Sequence, residues 1–162
     1  MNVSDAMTTP VRCCSASTSL EEIARLMWEA DCGAIPIVDD QHQPIGIVTD
    51  RDIAMSAMFN REPLWNLTAE RVIQGQQLVS CSPQDAIENC LEKMKDAEVR
   101  RIVVTGNDGA LCGIVSMGDA VAFASSAASR DSECAINSGQ VLGMLRCVSG
   151  HHQDGAGAAA PV

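Results

Sequence analysis

The sequence predicts an α/β (α+β) fold that is built from two consecutive β-α-β-β-α repeats. One motif carries most of this prediction: Gly46-Ile-Val-Thr-Asp-Arg-Asp52 returns 67 positions later as Gly113-Ile-Val-Ser-Met-Gly-Asp119. The same shift aligns the two copies without a gap from Val11 to Asp52. Internal self-similarity of this kind indicates two copies of one supersecondary unit.

Each copy contains an amphipathic helix. Four apolar residues with the i, i+3, i+4, i+7 spacing of one helical face recur after the shift. They are Leu20, Ile23, Ala24 and Met27 in the first copy and Ile87, Cys90, Leu91 and Met94 in the second. The helix starts are predicted from a candidate capping box at Thr18–Glu21 and from Ser82-Pro83, which would supply a cap and a first-turn proline.

Two short β-branched runs follow each helix and predict a β-hairpin, after which a second helix begins at the motif. These segments are 35–38, 45–49 and 50–58 in the first copy and 102–105, 111–116 and 117–127 in the second. One copy is too small to bury much apolar surface, so we expect the two copies, packed sheet to sheet, to share one core.

The repeats set the predicted domain boundaries. The first repeat spans residues 1–60, a linker spans 61–70, and the second repeat spans 71–128. In the linker, Trp65 is predicted to be a packing anchor. Residues 129–162 form a C-terminal extension that ends in a stretch rich in Gly and Ala, so we predict it to be partly disordered.

The composition is that of a globular protein with an aliphatic core. Of 162 residues, 46% are apolar but only 2% are aromatic, and the formal net charge is −10. The acidic charge argues against nucleic acid as a partner. The sequence shows neither a signal peptide nor an apolar run long enough to span a membrane, so we expect a cytoplasmic protein without a membrane partner.

The sequence also argues against catalysis and against a metal centre. It has no Walker loop, no H-E-x-x-H motif and no nucleophile elbow, and its three histidines lie in a predicted turn and in the tail. None of the eight cysteines forms a C-x-x-C pair, and several occupy apolar positions, so we interpret them as buried reduced thiols. The alternatives are a disulfide, a metal site or a redox switch, and Cys13-Cys14 is the pair to test.

The two motif copies, each at the end of a hairpin and the start of a helix, resemble the paired cystathionine-β-synthase (CBS) domain, or Bateman module. The opening segment Val3-Ser-Asp-Ala-Met-Thr8 is similar to that of bacterial stand-alone members, and the resemblance covers roughly residues 1–127. It implies two repeats packed with pseudo-twofold symmetry and two clefts between them. It also implies a ligand there (AMP, ADP, ATP or S-adenosylmethionine), no required cofactor, and a homodimer.

The residue types of the motif fit such a ligand. A hydroxyl and a carboxylate three residues apart at a strand-to-helix junction share one face, as Thr49 does with Asp52 and Ser116 with Asp119. The carboxylate could accept hydrogen bonds from both hydroxyls of a ribose. The Thr or Ser hydroxyl and the N–H groups at the helix start could donate to phosphate oxygens. The alternative is structural: Thr49 and Ser116 would cap the helices, and the aspartates would only favour the helix dipole.

In the family, the motif of one copy faces the strand start of the other, and carrying this over defines two composite clefts. Cleft A would contain Thr49, Asp50, Arg51 and Asp52 with Arg100, Arg101 and Ile102. Cleft B would contain Ser116, Met117 and Asp119 with Gly33, Ala34, Ile35 and Pro36. The segments that lead into the repeats would add residues 73–79 to cleft A and residues 8–12 to cleft B.

The two clefts differ in charge. Cleft A has three arginines, whereas cleft B has Gly118 in place of Arg51 and Gly33-Ala34 in place of Arg100-Arg101. Because arginine matches phosphate well, we expect cleft A to bind a phosphorylated nucleotide. Cleft B would be weaker, empty, or suited to a less charged adenosyl ligand. In the alternative, Arg100 and Arg101 pair with nearby carboxylates.

Together these features favour a non-catalytic regulatory sensor that binds an adenine nucleotide or adenosyl ligand between its repeats. The ligand would shift the orientation of the repeats, and an effector protein that the sequence does not identify would respond to the shift. The alternative function is a ligand-free scaffold for dimerisation or interaction.

Overall fold

The computed structural model describes residues 2–128, together with residues 139, 142 and 143. The extension predicted at 129–162 lies outside the described residues apart from those three. The first half of the chain forms β1 (Cys14–Ser15), α1 (Leu20–Glu29), β2 (Ala34–Val38), β3 (Pro44–Thr49) and α2 (Asp50–Asn60). The second half forms α3 (Ala69–Ile73), β4 (Ser80–Cys81), α4 (Ile87–Asp96), β5 (Arg101–Thr105), β6 (Leu111–Ser116) and α5 (Met117–Ala128).

The two halves repeat one topology, which confirms the predicted fold class. Each half has a three-stranded sheet, ordered β1-β2-β3 or β4-β5-β6, in which the first pair is parallel and the second antiparallel. The register repeats as well: Ala34 pairs with Thr49, and 67 positions later Arg101 pairs with Ser116. Each strand-to-helix junction therefore stands opposite the start of the neighbouring strand.

The helices begin later than the sequence signals predicted. α1 is capped by Ser19, whose hydroxyl accepts from Glu22 N at 3.2 Å, so the predicted capping box is displaced by one residue. α4 begins at Ile87 without a side-chain cap, so the start predicted at Ser82-Pro83 is wrong. The reason is a local turn, in which the backbone N–H of Ser82 donates to Asp85 Oδ2 at 3.1 Å ahead of the helix.

Each repeat has its own hydrophobic core, so the prediction of one shared core is wrong. The first core contains Leu20, Ile23, Met27, Ile35, Ile37, Val48, Ile53, Leu67 and Ala69. The second contains Val3, Cys81, Ile87, Cys90, Leu91, Met94, Ile102, Val104, Val115 and Ala120. Alternation along the strands is the reason: Ile35 and Ile37 belong to a core, while Pro36 between them is buried on the other face of the sheet.

The two repeats exchange the segments that precede them. Leu67 and Ala69, ahead of the second repeat, are buried in the core of the first. Val3, near the start of the chain, is buried in the core of the second, where Thr8 also pairs with Ile114 of β6. Each repeat therefore contains part of the other's leading segment.

Trp65 does not anchor the linker, contrary to the prediction. Its side chain is 64% exposed, whereas that of Leu67 is 1% exposed. The carbonyl of Leu67 also accepts from Leu20 N at 2.8 Å, at the start of α1. Leu67 therefore fixes the linker to the first repeat, together with the fully buried Ala69, whose N–H donates to the carbonyl of Thr18 at 3.0 Å.

The cysteines of the described chain are free thiols: Cys81 and Cys90 are buried, and Cys13, Cys14, Cys32 and Cys112 are partly buried. Burial raises the pKa of the Cys13 and Cys14 thiols. Among the described residues, no group of His, Cys, Asp or Glu could hold a metal ion. In the same part of the chain, no helix is long and apolar enough to cross a bilayer.

Candidate functional site

The two strand-to-helix junctions form matching helix caps. At the first, Thr49 donates its backbone N–H and its hydroxyl to Asp52 Oδ2, at 2.8 and 2.7 Å, and Asp52 N–H donates back to Thr49 Oγ1 at 3.2 Å. At the second, Ser116 and Asp119 make the same three bonds at 2.7, 2.6 and 3.2 Å. The motif hydroxyls therefore cap the helices, and one oxygen of each aspartate is committed to its cap.

The second carboxylate oxygen distinguishes the two aspartates. Within the described part of the chain, Asp52 Oδ1 accepts no hydrogen bond. Asp119 Oδ1 instead accepts from Thr8 Oγ1 at 3.5 Å. Both side chains are half-buried. Asp52 therefore keeps one oxygen that is open to a ligand. The equivalent oxygen of Asp119 is already bonded to Thr8, which comes from the first repeat.

The glycine that opens each motif makes room for a crossing segment of chain. A Cβ on Gly46 would lie 2.5 Å from Ile73 Cγ2, and a Cβ on Gly113 would lie 2.5 Å from Met7 Sδ. A side chain at either position would therefore require its neighbour to shift. Ile73 and Met7 belong to the segments that lead into the opposite repeats, so these glycines serve packing between repeats.

Each leading segment lies beside the motif to which it was assigned. In the segment expected in cleft A, the side-chain amide of Gln76 bonds to both the N–H and the C=O of Ile47, at 3.0 and 2.9 Å. In the segment expected in cleft B, Thr8 contacts Ile114 and Asp119. Gln76 was not singled out in the sequence, since nothing in its local pattern distinguishes it from a solvated loop glutamine.

A cation of the second repeat lies at the motif of the first. A Cβ on Gly33 would lie 3.1 Å from Arg101 Nη2 and 3.2 Å from Asp50 Oδ2. Gly33 is held beside that motif because its carbonyl accepts from Asp50 N at 3.3 Å. Arg101 forms no ion pair with any carboxylate of the described residues, so its guanidinium can receive an anion.

Gly33 and the main chain of Arg100 lie at the strand-to-helix junctions of their own repeats. Gly33, expected in cleft B, lies beside Asp50 of its own repeat, and the carbonyl of Arg100, expected in cleft A, accepts from Met117 N of its own repeat at 3.0 Å. The strand register explains this, because it places position 33 or 100 at the junction of the same repeat. Gly33 therefore lies where the two repeats meet, beside Arg101.

The apolar residues expected in the clefts have buried side chains. Ile35 and Ile102 are 1% and 0% exposed and belong to the two cores. Ala34 and Pro36 are buried as well. The side chains of these four residues are therefore covered by the fold and do not line an open cleft.

The charge difference between the clefts is visible at the helix starts. Asp50 and Arg51 are exposed at the start of α2, where Arg51 N donates to Asp50 Oδ1 at 2.8 Å. The corresponding start of α5 has Met117 and Gly118. Near the first junction, Arg51 and Arg101 therefore supply positive charge that the second junction lacks at the matching positions.

Related proteins share this pair of repeats. The sequence profile of the CBS domain family matches residues 3–58 and 73–126. The CBS domain-containing protein YhcV of Bacillus subtilis is 33% identical over 118 residues, which cover 73% of this chain and 81% of that protein.

Solved structures show the same fold. The CBS domain pair of protein MJ0100, in complex with 5′-methylthioadenosine and S-adenosyl-L-methionine, has a TM-score of 0.68 and 19% identity, covering 78% of this chain and 98% of its own. The CBS domain protein PAE2072 from Pyrobaculum aerophilum, complexed with AMP, has a TM-score of 0.65 and 21% identity, covering 74% and 89%. The chain therefore belongs to the CBS domain family and contains two of its domains in tandem.

Proposed function

We propose that this chain is a non-catalytic regulatory module that binds an adenine nucleotide or adenosyl ligand, with cleft A as its principal site. The observation that carries the proposal is the position of Arg101, which comes from the second repeat and lies beside Gly33 and Asp50 of the first. A bound anion would be held by both repeats at once. The ligand would therefore bias their relative orientation.

Different residues of cleft A would bind different parts of the ligand. Asp52 Oδ1, which is left open by the cap, would accept from a ribose hydroxyl in a charge-assisted bond worth about 1.5–3 kcal/mol. Arg51 and Arg101 would bind phosphate oxygens together with the N–H groups at the start of α2. The hydroxyl of Thr49 is engaged in the cap on both sides, so we assign it to positioning Asp52.

Cleft B would take a less charged adenosyl ligand or stay empty. Asp119 already accepts from Thr8, and the positions that match Arg51 and Arg101 are Gly118 and Ala34. The MJ0100 pair, whose structure holds both 5′-methylthioadenosine and S-adenosylmethionine, supports the view that this fold accepts adenosyl ligands without phosphate. The AMP complex of PAE2072 supports a phosphorylated ligand in the same way.

Neither cleft would catalyse a reaction. The motif hydroxyls of Thr49 and Ser116 are hydrogen-bonded to the capping aspartates, so neither is set up as a nucleophile. His42, the histidine of the described chain, is exposed in the β2–β3 turn and lies outside both sets of cleft residues. An effector protein would respond to the ligand-dependent arrangement of the repeats.

Thermal melting with a panel of ligands tests whether the chain binds a ligand at all. AMP, ADP, ATP and S-adenosylmethionine are compared with GTP at equal concentration. We expect at least one adenine ligand at about 100 times its Kd to stabilise the fold by about 2.7 kcal/mol, which raises Tm by several degrees, while GTP does not. If no adenine ligand shifts Tm, the proposal fails and the ligand-free scaffold is favoured.

A further inference from the structure

Two buried thiols of the second repeat lie in contact with each other. Sγ of Cys81, in β4, is 3.4 Å from Sγ of Cys90, on α4, so one thiol can donate a hydrogen bond to the other. Cys81 is 3% exposed, Cys90 is fully buried, and both belong to the core of that repeat. Because a disulfide bond is about 2.05 Å long, the two sulfurs need to approach by only about 1.3 Å to be joined.

The first repeat has no equivalent pair of thiols. Shifting by 67 positions places Cys81 on Cys14 but Cys90 on Ile23. Ile23 is fully buried in the first core, so an isoleucine satisfies this position of the helix. The fold therefore does not require a sulfur at position 90, and the paired thiols are a feature of the second repeat alone.

The thiol pair lies where a local opening of the fold would expose it. β4 is two residues long and is an edge strand of the β4-β5-β6 sheet. α4, which carries Cys90, begins without a side-chain cap. Short edge strands and uncapped helix ends open at a lower free-energy cost than the whole fold. A small oxidant can therefore reach the two sulfurs without unfolding of the repeat.

We propose that Cys81 and Cys90 form a site of reversible oxidation, at which hydrogen peroxide converts the two thiols into one intramolecular disulfide. The sulfur of Cys81 attacks the O–O bond of the peroxide, becomes a sulfenic acid and releases one water. The sulfur of Cys90 then attacks the sulfenic sulfur, and its proton leaves with the displaced hydroxyl as a second water. Two electrons pass from the sulfurs to the peroxide, and a thiol reductant reverses the reaction.

The surroundings favour Cys81 as the sulfur that reacts first. Nζ of Lys93 lies close by, where it donates to the carbonyl of Ser80 at 3.2 Å. The pKa of the Cys81 thiol is lowered, chiefly because Cys90 can donate to its thiolate and further because of the charge of Lys93, although burial opposes the shift. The same hydrogen bond and burial raise the pKa of Cys90. Cys81 is therefore the better thiolate, and Cys90 is the thiol that completes the disulfide.

The oxidation site goes beyond the proposed ligand binding because it requires no ligand. Neither cysteine belongs to the residues of cleft A or cleft B, although β4 directly follows the segment 73–79 that was assigned to cleft A. A failure of the disulfide to form is therefore distinguishable from a failure of nucleotide binding.

Peptide mass spectrometry of the oxidised full chain tests the pair. The folded protein is treated with hydrogen peroxide, its remaining thiols are alkylated in urea, and it is digested with trypsin. Residues 72–93 contain no Lys or Arg before Lys93, so both cysteines fall in one tryptic peptide. We expect this peptide mainly as the form that has lost two hydrogens and carries no alkyl group. Treatment with dithiothreitol before alkylation should restore two alkylated cysteines.

Variants of the two repeats provide the controls. Cys14→Ala, at the position that matches Cys81 in the first repeat, should leave the disulfide unchanged. Cys90→Ala should prevent it and leave Cys81 as a sulfenic acid that dimedone traps. Cys90→Ile, which places the first repeat's residue on α4, replaces Cys90→Ala if circular dichroism shows that the alanine variant is unfolded.

Two results would overturn the proposal. One is a wild-type peptide 72–93 that carries two alkyl groups after peroxide treatment of the folded chain. The other is oxidation that joins Cys81 or Cys90 to a different cysteine, such as the partly buried Cys112.

Discussion

Nη2 of Arg101 lies 3.1 Å from the point where a Cβ on Gly33 would stand, so a side chain of the second repeat fills space that a residue of the first leaves empty. At the matching positions the second repeat has Arg100 for Gly33, and the first has Ala34 for Arg101. The two repeats therefore have the same backbone topology but different side chains at the positions where they contact each other. This difference is the origin of the proposed inequality between the clefts.

Replacing Gly33 with Ala should weaken binding of phosphorylated ligands. The added Cβ would stand 3.1 Å from Arg101 Nη2 and 3.2 Å from Asp50 Oδ2, so both side chains would have to shift by a few tenths of an ångström. We expect the shifted guanidinium to lower ATP affinity about three- to tenfold through partial loss of a charge-assisted bond. Adenosine, which has no phosphate, should bind with unchanged affinity and serves as the control in the same titration. Equal losses for ATP and adenosine would show that Arg101 is not a phosphate ligand.

The two motif hydroxyls should contribute equally to stability, because their caps have the same geometry. Thr49→Ala and Ser116→Ala should each lower the free energy of unfolding by about 1 kcal/mol. Thr49→Ser, which places the residue of the second repeat in the first, should have little effect. Urea denaturation measures all three, and a large cost for Thr49→Ser would contradict the capping role.

The motif glycines should be intolerant of alanine to different degrees. Gly46→Ala meets the β-branched Ile73 close to its Cβ, whereas Gly113→Ala meets the sulfur end of the flexible Met7 first. Overpacking typically costs about 1–3 kcal/mol, and we expect Gly46→Ala to lie higher in that range because Ile73 is the stiffer neighbour. Chemical denaturation midpoints check the order, which the reverse ranking would contradict.

The thiols of Cys13 and Cys14 should be slow to alkylate at neutral pH. Burial raises the pKa of both thiols, so the reactive thiolate is scarcer than in an unfolded chain, and the rate should keep rising above the pH at which an ordinary thiol levels off. Iodoacetamide labelling followed by peptide mass spectrometry measures this, with the urea-unfolded protein as the reference. Native labelling at neutral pH as fast as in urea would contradict the burial of these thiols.

The repeat, its strands and both motifs could be predicted because their signals are local. The helical face that starts at Leu20 and the hairpin that ends at Thr49 each follow from spacing within a few residues. The same is true of the cap between Thr49 and Asp52, which the sequence allowed as the structural alternative.

Long-range packing could not be predicted in the same way. The sequence does not show that Val3 crosses into the second core or that Leu67 crosses into the first, since those contacts span the chain. Trp65 was predicted to be an anchor, but the local sequence does not indicate whether a tryptophan in a linker is buried or exposed. Ile35 and Ile102 were assigned to the clefts because the family's ligands lie beside those strands, but their side chains face the cores.

Isothermal titration calorimetry of ATP and AMP with Asp52→Ala and Asp119→Ala tests the proposed ligand site most directly. Both substitutions remove the two cap bonds that the carboxylate accepts, and Asp119→Ala also removes the contact with Thr8, so a loss of ATP binding confined to Asp52→Ala would not reflect a greater loss of side-chain bonds. We predict that Asp52→Ala lowers ATP affinity at least about tenfold, the value of one lost charge-assisted bond, while Asp119→Ala retains most of the binding. Loss of ATP binding in Asp119→Ala alone would contradict cleft A as the principal site.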